Sequence, residues 1–417
     1  MARGGRQALA AVALAVGLGG GALPGGARAN EAARARVPVV VLGAHPWTQA
    51  DAIEALWAAR GVIDAHPELV SVDLAQQLGG GRARDEAAMR ALIEAGVEAY
   101  DQADMGEAEK HLSIAALIGS GQAVTLPLAV EALSTLARLR AAQQDEKGAV
   151  QAFVRLLRLM PGFTLDPAQA APSAARRLAK AQAIIDEAAA SRLRVAAEPV
   201  AAAVFVDGRL RGVTPLYLAS VPAGTHHLRI AADGYRDDLG LVELRAGRET
   251  PVQATLPAAE KAALFDQIVA ALPDDVEHGD AQAGLGDLKA LTGAEQAVVL
   301  SATQAGWLHG ALFELRSLRR VRAVKVPLTP DATEAGQAVI RELYRGLDAR
   351  RPAQVPAAAV AAVAEPEPEG GSRWWLWTSI AVGVAAAVTV PLVIWALDDD
   401  EGGVPRAPGT GAVIIRY

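Results

Sequence analysis

The sequence predicts a multidomain α+β protein with a helical hairpin array and a small β-sandwich, α/β segments on either side of them, and one C-terminal transmembrane helix. Three observations carry this prediction. Apolar residues recur at spacings of three and four over residues 85–191, the pattern changes to alternation at Arg192, and an uncharged apolar run occupies residues 374–397. A change of hydrophobic period marks a change of secondary structure.

Composition limits the classes of function. The chain has 417 residues, is 52% hydrophobic and 21% charged, and has a formal net charge of -7. An acidic balance gives no overall attraction for nucleic acid or for anionic lipid. Cysteine is absent, which excludes a disulfide framework, a thiolate zinc site and a cysteine nucleophile.

Residues 1–29 have the pattern of a secretory signal. Arg3 and Arg6 form a basic start, an apolar stretch follows, and Ala27-Arg28-Ala29 supplies small residues at a cleavage position. A retained signal anchor is the alternative, but the glycines and the proline within residues 17–26 make a poor membrane helix. We therefore expect cleavage and export of the body.

Residues 30–84 form the first α/β segment. The apolar run VPVVVLG is followed by a helical pattern and then by LVSVDL, with helical apolar positions at Ile53, Leu56, Trp57 and Ile63. Apolar runs on both sides of a helix predict a buried parallel strand pair with a crossover. The loop GAHPWT lacks the glycine spacing of a dinucleotide site, so we interpret this segment as structural.

Residues 85–191 predict two helix pairs and a final helix from Pro172 to Ala190. In the first pair, small residues allow close helix contact at Ala95, Gly96 and Ala99; the second pair repeats the pattern at Ala137, Asp145, Ala149 and Pro161. This spacing resembles the tetratricopeptide repeat, which implies a stack with a binding surface. A generic helical hairpin bundle is the alternative, because the Trp and the Leu-Gly pair of the consensus are missing.

Residues 192–257 read as short strands separated by Gly, Pro and Asp turns. The landmarks are Asp207-Gly208, Gly212 with Thr214-Pro215, Val221-Pro222-Ala223-Gly224 and Gly234-Tyr235. They resemble the PEGA domain, whose motif stands here as Val-Pro-Ala-Gly and departs at its first two positions. The resemblance implies a small β-sandwich that acts as an extracytoplasmic interaction module without catalysis, with its edges and loops free for contact.

The β pattern also predicts local geometry within this unit. Asp207-Gly208 supplies the positive φ of a tight hairpin, and Gly224 permits a backbone conformation that branched residues resist. Alternation places Val204 and Val206 on one face of their strand and Phe205 on the other.

Residues 258–349 return to a mixed pattern of helix, apolar strand, and a hairpin or meander. These elements are suited to complete the sheet begun by residues 37–41. The split arrangement is similar in pattern to the small α/β domain at the front of several bacterial envelope proteins, including the periplasmic propeller protein of the Tol system. Two independent small domains are the alternative.

The C-terminal part predicts a tether and a membrane anchor. Residues 350–373 are rich in Pro, Ala and Glu, as an extended linker would be. Residues 374–397 are long enough to span a bilayer and carry interface-type indoles at their two ends, namely Trp374, Trp375, Trp377 and Trp395. A buried core helix is the alternative. Export of the body leaves residues 398–417 as a short cytoplasmic tail.

No constellation of catalytic, cofactor-binding or metal-binding residues emerges. His226 and His227 are adjacent on a predicted strand and point to opposite faces. The acidic cluster formed by Asp274, Asp275, Glu277, His278 and Asp280 lacks the spacing of a calcium loop, so we interpret it as a solvated loop. A serine nucleophile elbow and a phosphate-binding Gly-Lys-Ser/Thr loop are also absent from the sequence.

The sequence therefore favours a non-enzymatic, membrane-tethered envelope protein whose modules bind envelope proteins or cell-wall polymer. An accessory subunit of an envelope assembly or secretion machine is the first alternative. A cell-wall hydrolase acting through Glu277 or Asp280 is the second. We expect a periplasmic body, no nucleic-acid partner and no cofactor.

Overall fold

The computed structural model describes residues 37–43, 49–79, 86–121, 125–165, 171–272, 282–303, 305–328, 331–349 and 414–415. The expected signal, tether, transmembrane segment and acidic cluster lie outside these ranges. Within them, no helix combines the length and the apolarity that a membrane crossing requires. The described residues form ten helices and thirteen strands, which confirms a mixed α+β architecture.

The elements follow one another along the chain in four groups. The first α/β segment contains β1 (Val37–Gly43), α1 (Ala50–Ala65), β2 (Leu69–Ser71) and α2 (Leu74–Gln77). The helical region contains α3 (Glu86–Asp101), α4 (Met105–Gly119), α5 (Leu126–Ala142), α6 (Glu146–Leu159) and α7 (Pro172–Asp186). The β-sandwich contains β3 (Ala190–Glu198), β4 (Ala203–Val206), β5 (Arg209–Val213), β6 (Leu216–Pro222), β7 (Gly224–Ala231), β8 (Asp238–Leu244) and β9 (Glu249–Thr255). The last group contains α8 (Ala262–Ala270), α9 (Gln282–Thr292), β10 (Gln296–Ala302), β11 (Trp307–Glu314), β12 (Arg319–Pro327), α10 (Ala332–Tyr344) and β13 (Ile414–Ile415).

The two α/β segments share one sheet, in the strand order β12-β11-β10-β1-β2. Strand β1 is parallel to β2 and to β10, with Val40 beside Ala297, and β10, β11 and β12 form an antiparallel meander. The expectation of a parallel pair with a helical crossover is confirmed. The alternative of two independent domains is wrong, because β1 supplies the centre of a sheet that β10 extends. We call this unit the sheet domain.

Helices cover both faces of the sheet domain. Helices α1 and α10 enclose one apolar core with the sheet, and α2, α8 and α9 contribute to the core on the other face. Gly336 of α10 meets the backbone of α1 so closely that a Cβ there would lie 2.0 Å from the carbonyl oxygen of Ala55. The glycine allows the two helices to touch. The apolar run LVSVDL is not strand throughout, because β2 ends at Ser71 and helix α2 begins at Leu74.

The helical region packs its helices in chain order around one core, which includes Leu112, Leu133, Leu136 and Leu156. The close approach expected at Gly96 is present, because a Cβ there would lie 2.8 Å from the side chain of Leu112. Asp104 and Asp145 accept hydrogen bonds from backbone amides at the starts of α4 and α6, which stabilises those ends. The prediction that α7 extends to Ala190 is wrong. It ends at Asp186, and residue 190 already pairs in β3.

The β-sandwich consists of a three-stranded sheet, β6-β3-β9, and a five-stranded sheet, β13-β8-β7-β4-β5. Its core includes Leu193, Val204, Val206, Ile230 and Val242. The turn between β4 and β5 has φ of 52° at Asp207 and 74° at Gly208, which confirms the tight hairpin expected from this dipeptide.

Strand β13 comes from the far C-terminal end of the chain. It pairs antiparallel with the edge of β8, with Ile414 beside Val242 and Ile415 beside Leu241. A segment predicted to be a short tail on the far side of a membrane is thus hydrogen-bonded to the β-sandwich.

Candidate functional site

The sheet domain, the helical region and the β-sandwich meet around the indole ring of Trp57. This α1 side chain contacts the ring of Phe205 from β4 edge to face, with centroids 5.4 Å apart and planes inclined at 77°. The guanidinium carbons of Arg60 and Arg229 lie 4.4 and 5.3 Å from the indole centroid. Guanidinium groups over an indole face are attracted by its negative quadrupole. We call this contact region the junction.

Arg60 joins the sheet domain to the β-sandwich. Its Nε and Nη2 donate to the carbonyl oxygen of Val41 at 3.1 and 2.7 Å. Its Nη1 and Nη2 also donate to the two carboxylate oxygens of Asp233 at 2.8 and 2.7 Å. Arg60 is buried, so this bidentate pair is shielded from solvent and fixes the relative orientation of its partners.

Arg229 brings the helical region into the same contact. It lies on β7 beside Phe205, 5.1 Å from that ring's centroid, and its Nε donates to Asp237 at 2.7 Å. Its Nη1 donates to the carbonyl oxygen of Gly121, which follows α4. One buried side chain therefore links all three folded units.

The Val-Pro-Ala-Gly turn is bound by Arg158 of α6. The guanidinium donates to the carbonyl oxygens of Ala223, at 2.7 Å, and Thr225. Gly224 has φ of 119°, and a Cβ there would lie 2.8 Å from Nη2 of Arg158. Burial lowers the pKa of Arg158, while the carboxylates of Asp207 and Glu243 oppose this shift. The expectation that the loops of this unit are free for contact is wrong for this turn, which the helical region covers.

His226 holds the two turns of the β-sandwich together. Its Nδ1 lies 2.6 Å from Oδ2 of Asp207, and its Nε2 lies 2.7 Å from the carbonyl oxygen of Pro222. Both neighbouring oxygens are hydrogen-bond acceptors, and the ring lies between them and bridges the two turns. The adjacent strand residues point to opposite sides as expected, with His226 directed to these turns and His227 to the helical region.

His227 is enclosed by α4 and α6 and is only 2% exposed. The Ser120 hydroxyl donates to the carbonyl of Leu117 at 2.6 Å and lies 3.1 Å from Nδ1 of His227, and Nε of Arg155 donates to Nε2 at 3.3 Å. These contacts select a neutral ring with its proton on Nδ1. Burial, followed by the nearby cations, holds the pKa of His227 well below its usual 6.5.

A cavity of about 120 Å³ lies beside Trp57, Arg60 and Arg229 and also contains Asp64 and Ser71. Asp64 accepts hydrogen bonds from the amide of Ser71 at 3.0 Å and from its hydroxyl at 2.5 Å. Burial raises the pKa of Asp64, although these hydrogen bonds and the two arginines act in the opposite direction. The cavity has room for a few water molecules rather than for a substrate of ordinary size.

A second cavity of about 340 Å³ lies between α1, α8 and the β-sandwich. Its walls are mainly apolar and include Leu56, Trp57, Val200, Phe265 and Val269. It lies beside Gly43, at the carboxyl end of β1, where open α/β sheets commonly bind ligands.

The third depression is an open polar groove of about 610 Å³ between α4, α6 and the outer face of β7 and β8. Its lining residues are Gly106, Glu109, Lys110, Ser113, Arg140, Lys147, Gln151, Arg155, Thr225, Leu241 and Glu243. Glu109 accepts hydrogen bonds from Arg140, and Thr225 donates to Glu243. We call this depression the groove.

The sequence assigned no catalytic, cofactor or metal residues, and the acidic cluster it singled out lies outside the described ranges. Within those ranges, no group of three His, Asp or Glu side chains converges as metal ligands would. Sequence reasoning missed the arginines of the junction. Buried arginines have no signature in hydrophobic period, since a charged residue on an amphipathic element is normally solvent-exposed.

Comparison with known families bears on one part of the chain. The model of the PEGA domain matches residues 190–260, a span slightly wider than the predicted 192–257. No curated protein and no solved structure matches the chain. The β-sandwich that Arg60, Arg158 and Arg229 join to the rest of the protein is a PEGA domain.

Proposed function

We propose that this chain is a non-enzymatic envelope protein that is held at a membrane by residues 374–397 and presents interaction surfaces outside the cytoplasm. The observation that favours a binding role over catalysis is the junction. Its charged groups are paired with one another and with backbone carbonyls, as in Arg60 with Asp233 and Arg229 with Asp237. In such pairs the charges hold the folded units together. This arrangement suits a rigid binding protein better than an enzyme.

The surfaces that remain open support binding as the role. The groove is wide and polar, and Tyr217 on the edge strand β6 is 51% exposed. We regard the helical region as tetratricopeptide-like, in accordance with the small residue at Gly96 and the repeated aspartate caps at Asp104 and Asp145. Its partners are envelope proteins or cell-wall polymer.

An accessory role in an envelope assembly or secretion machine is the second candidate. The split sheet domain favours it, because residues before and after the helical region and the β-sandwich build one sheet, which makes the body a single unit suited to docking. Size-exclusion chromatography in mild detergent separates the two: a stable large complex supports docking, and a monomer supports transient binding.

The tether is tested by fractionation of the full chain and of a variant that lacks residues 374–397. We expect the full chain to stay in the membrane pellet after alkaline carbonate extraction and the deletion variant to be released in soluble form. Recovery of the full chain in the soluble cytosolic fraction would refute the proposal. A matched control removes the same number of residues from 350–373, which leaves the anchor in place.

A further inference from the structure

The outer edge of β8 accepts an added strand. On its inner side β8 pairs with β7 along seven register positions from Gly224–Leu244 to Ile230–Asp238. On its outer side it pairs with the chain's own β13. A strand edge that binds one extended segment presents backbone donors and acceptors that any extended segment of suitable sequence can use.

The groove lies beside this edge, on one face of β8. Val242 and Leu244 belong to the core of the β-sandwich, whereas Leu241 and Glu243 line the groove. Side chains alternate between the faces of a sheet. Every second residue of a strand added to β8 is therefore on the groove side, beginning with the residue that pairs with Leu241.

The paired state of β13 excludes a membrane crossing by residues 374–397 in the same molecule. Residue 349 and residue 414 both belong to the body, and a single span between them would place residue 414 across the bilayer. The chain cannot return as an extended segment, because an unpaired backbone is not stable in hydrocarbon. In the tethered protein proposed above, the edge of β8 is therefore vacant.

We propose that the edge of β8 and the groove together form a docking site for an extended, acidic strand of a partner protein, whose place β13 takes when the chain is not membrane-inserted. This inference rests on the proposed tether, which leaves the edge of β8 vacant. The specificity of the docking site rests on the edge and on the groove. Lys110, Arg140, Lys147 and Arg155 are the cationic side chains of the groove, and Glu109 and Glu243 are its acidic ones. Lys110 is also paired with Glu107 at 3.0 Å, so the cations exceed these three acidic groups by one. A carboxylate on the groove side of the added strand would be attracted.

The binding test uses fluorescent peptides and the full chain in lipid nanodiscs. The peptides are GAVIIRY, which reproduces the chain's own end, and versions with Glu, Lys or Pro at the position of Ile415, which pairs with Leu241. We expect the Glu peptide to bind most tightly of the four, and the Lys peptide to bind less tightly than the Glu peptide. The Pro peptide should bind at least about tenfold more weakly than GAVIIRY, because proline removes a backbone donor and resists strand geometry.

A charge exchange tests the groove. Lys147 is exposed in the groove. The Lys147→Glu variant should bind the Glu peptide about threefold more weakly and the Lys peptide about threefold more tightly. Lys180→Glu on the exposed side of α7 is the matched control and should change neither. Equal binding of all peptides, or an equal effect of the two lysine variants, would overturn the docking site.

Occupancy is tested with a disulfide, since the chain has no cysteine of its own. Leu241→Cys combined with Ile415→Cys should form an intramolecular bond in the anchor-deleted chain and remain reduced in nanodiscs. Oxidation in nanodiscs would overturn the vacancy of the edge. A chain that lacks residues 411–417 has a vacant edge whether or not it inserts. If this truncated chain still prefers the Glu peptide, the docking site is supported even if the tether is refuted. If the truncated chain loses that preference, the docking site is overturned.

Discussion

Arg60 of the sheet domain binds both carboxylate oxygens of Asp233 in the PEGA domain, with N–O distances of 2.8 and 2.7 Å. The two residues are 173 positions apart in the chain and come from different folded units. Their side chains are 9% and 19% exposed, so the pair has little access to water. Removal of one partner leaves the other charge buried without its counterion, which is usually more costly than loss of the attraction itself.

Arg60→Ala should therefore lower the free energy of unfolding by about 3 kcal/mol. The control is Arg194→Ala, which breaks a pair with Glu249 whose arginine side chain is 62% exposed, and it should cost below about 1 kcal/mol. Urea titration followed by circular dichroism measures both. Equal midpoints for the two variants would contradict a stabilising role for the junction.

His227 should make the protein sensitive to acid. Its pKa in the folded state lies well below its unfolded value of about 6.5, so the unfolded chain binds the proton first. The stabilising contribution is complete above that unfolded value and is lost as pH falls below it, at up to about 1.4 kcal/mol per pH unit. His227→Gln should reduce the slope of unfolding free energy against pH between about 6.5 and 5.

If His227→Gln leaves this slope unchanged, the buried neutral ring is not the source of the acid sensitivity.

Asp64 should show the opposite dependence. Its pKa is raised in the folded state, chiefly by burial, so its stabilising contribution is complete below the unfolded value and is lost as pH rises through the folded value. Asp64→Asn removes the buried charge and keeps an oxygen that can accept from Ser71. We expect higher stability than the unmodified chain at pH 7 and a smaller difference near pH 4, measured by thermal unfolding; Asp64→Ala, which loses both hydrogen bonds, should not reproduce the gain.

The contact of Gly336 with the backbone of α1 makes a packing prediction. Gly336→Ala places a Cβ 2.0 Å from the carbonyl oxygen of Ala55 and should cost about 1 to 3 kcal/mol by forcing α1 and α10 apart. Gly286→Ala in α9 meets no atom within 4 Å and should stabilise by about 0.5 to 1 kcal/mol through helix propensity. If the denaturant midpoints of Gly336→Ala and Gly286→Ala shift in the same direction, the close packing of α1 against α10 is contradicted.

The local features of the fold follow from sequence pattern to a large extent. The parallel pair of β1 and β2, the Asp207-Gly208 hairpin and the close helix contact at Gly96 all follow from residue spacing or from backbone preferences. Those signals are local, since period and turn chemistry depend on residues a few positions apart.

The long-range features do not follow from pattern in the same way. The pairing of Val40 with Ala297 joins distant segments, and pattern reasoning left one sheet and two domains both open. The burial of Arg60, Arg158 and Arg229 depends on partners in other units, so no local window of sequence reveals it. The contact of Arg158 with the Gly224 turn is the reason that a loop expected to be free is covered.

The side of the membrane on which the PEGA domain lies decides whether the protein is an exported, membrane-tethered platform. In a chain without cysteine, Tyr217→Cys introduces one thiol at an exposed edge position, and a membrane-impermeant maleimide reports whether it is reachable in spheroplasts before lysis. We expect membrane-bound protein to be labelled in intact spheroplasts. Labelling that appears only after the inner membrane is broken would contradict an exported, membrane-tethered platform.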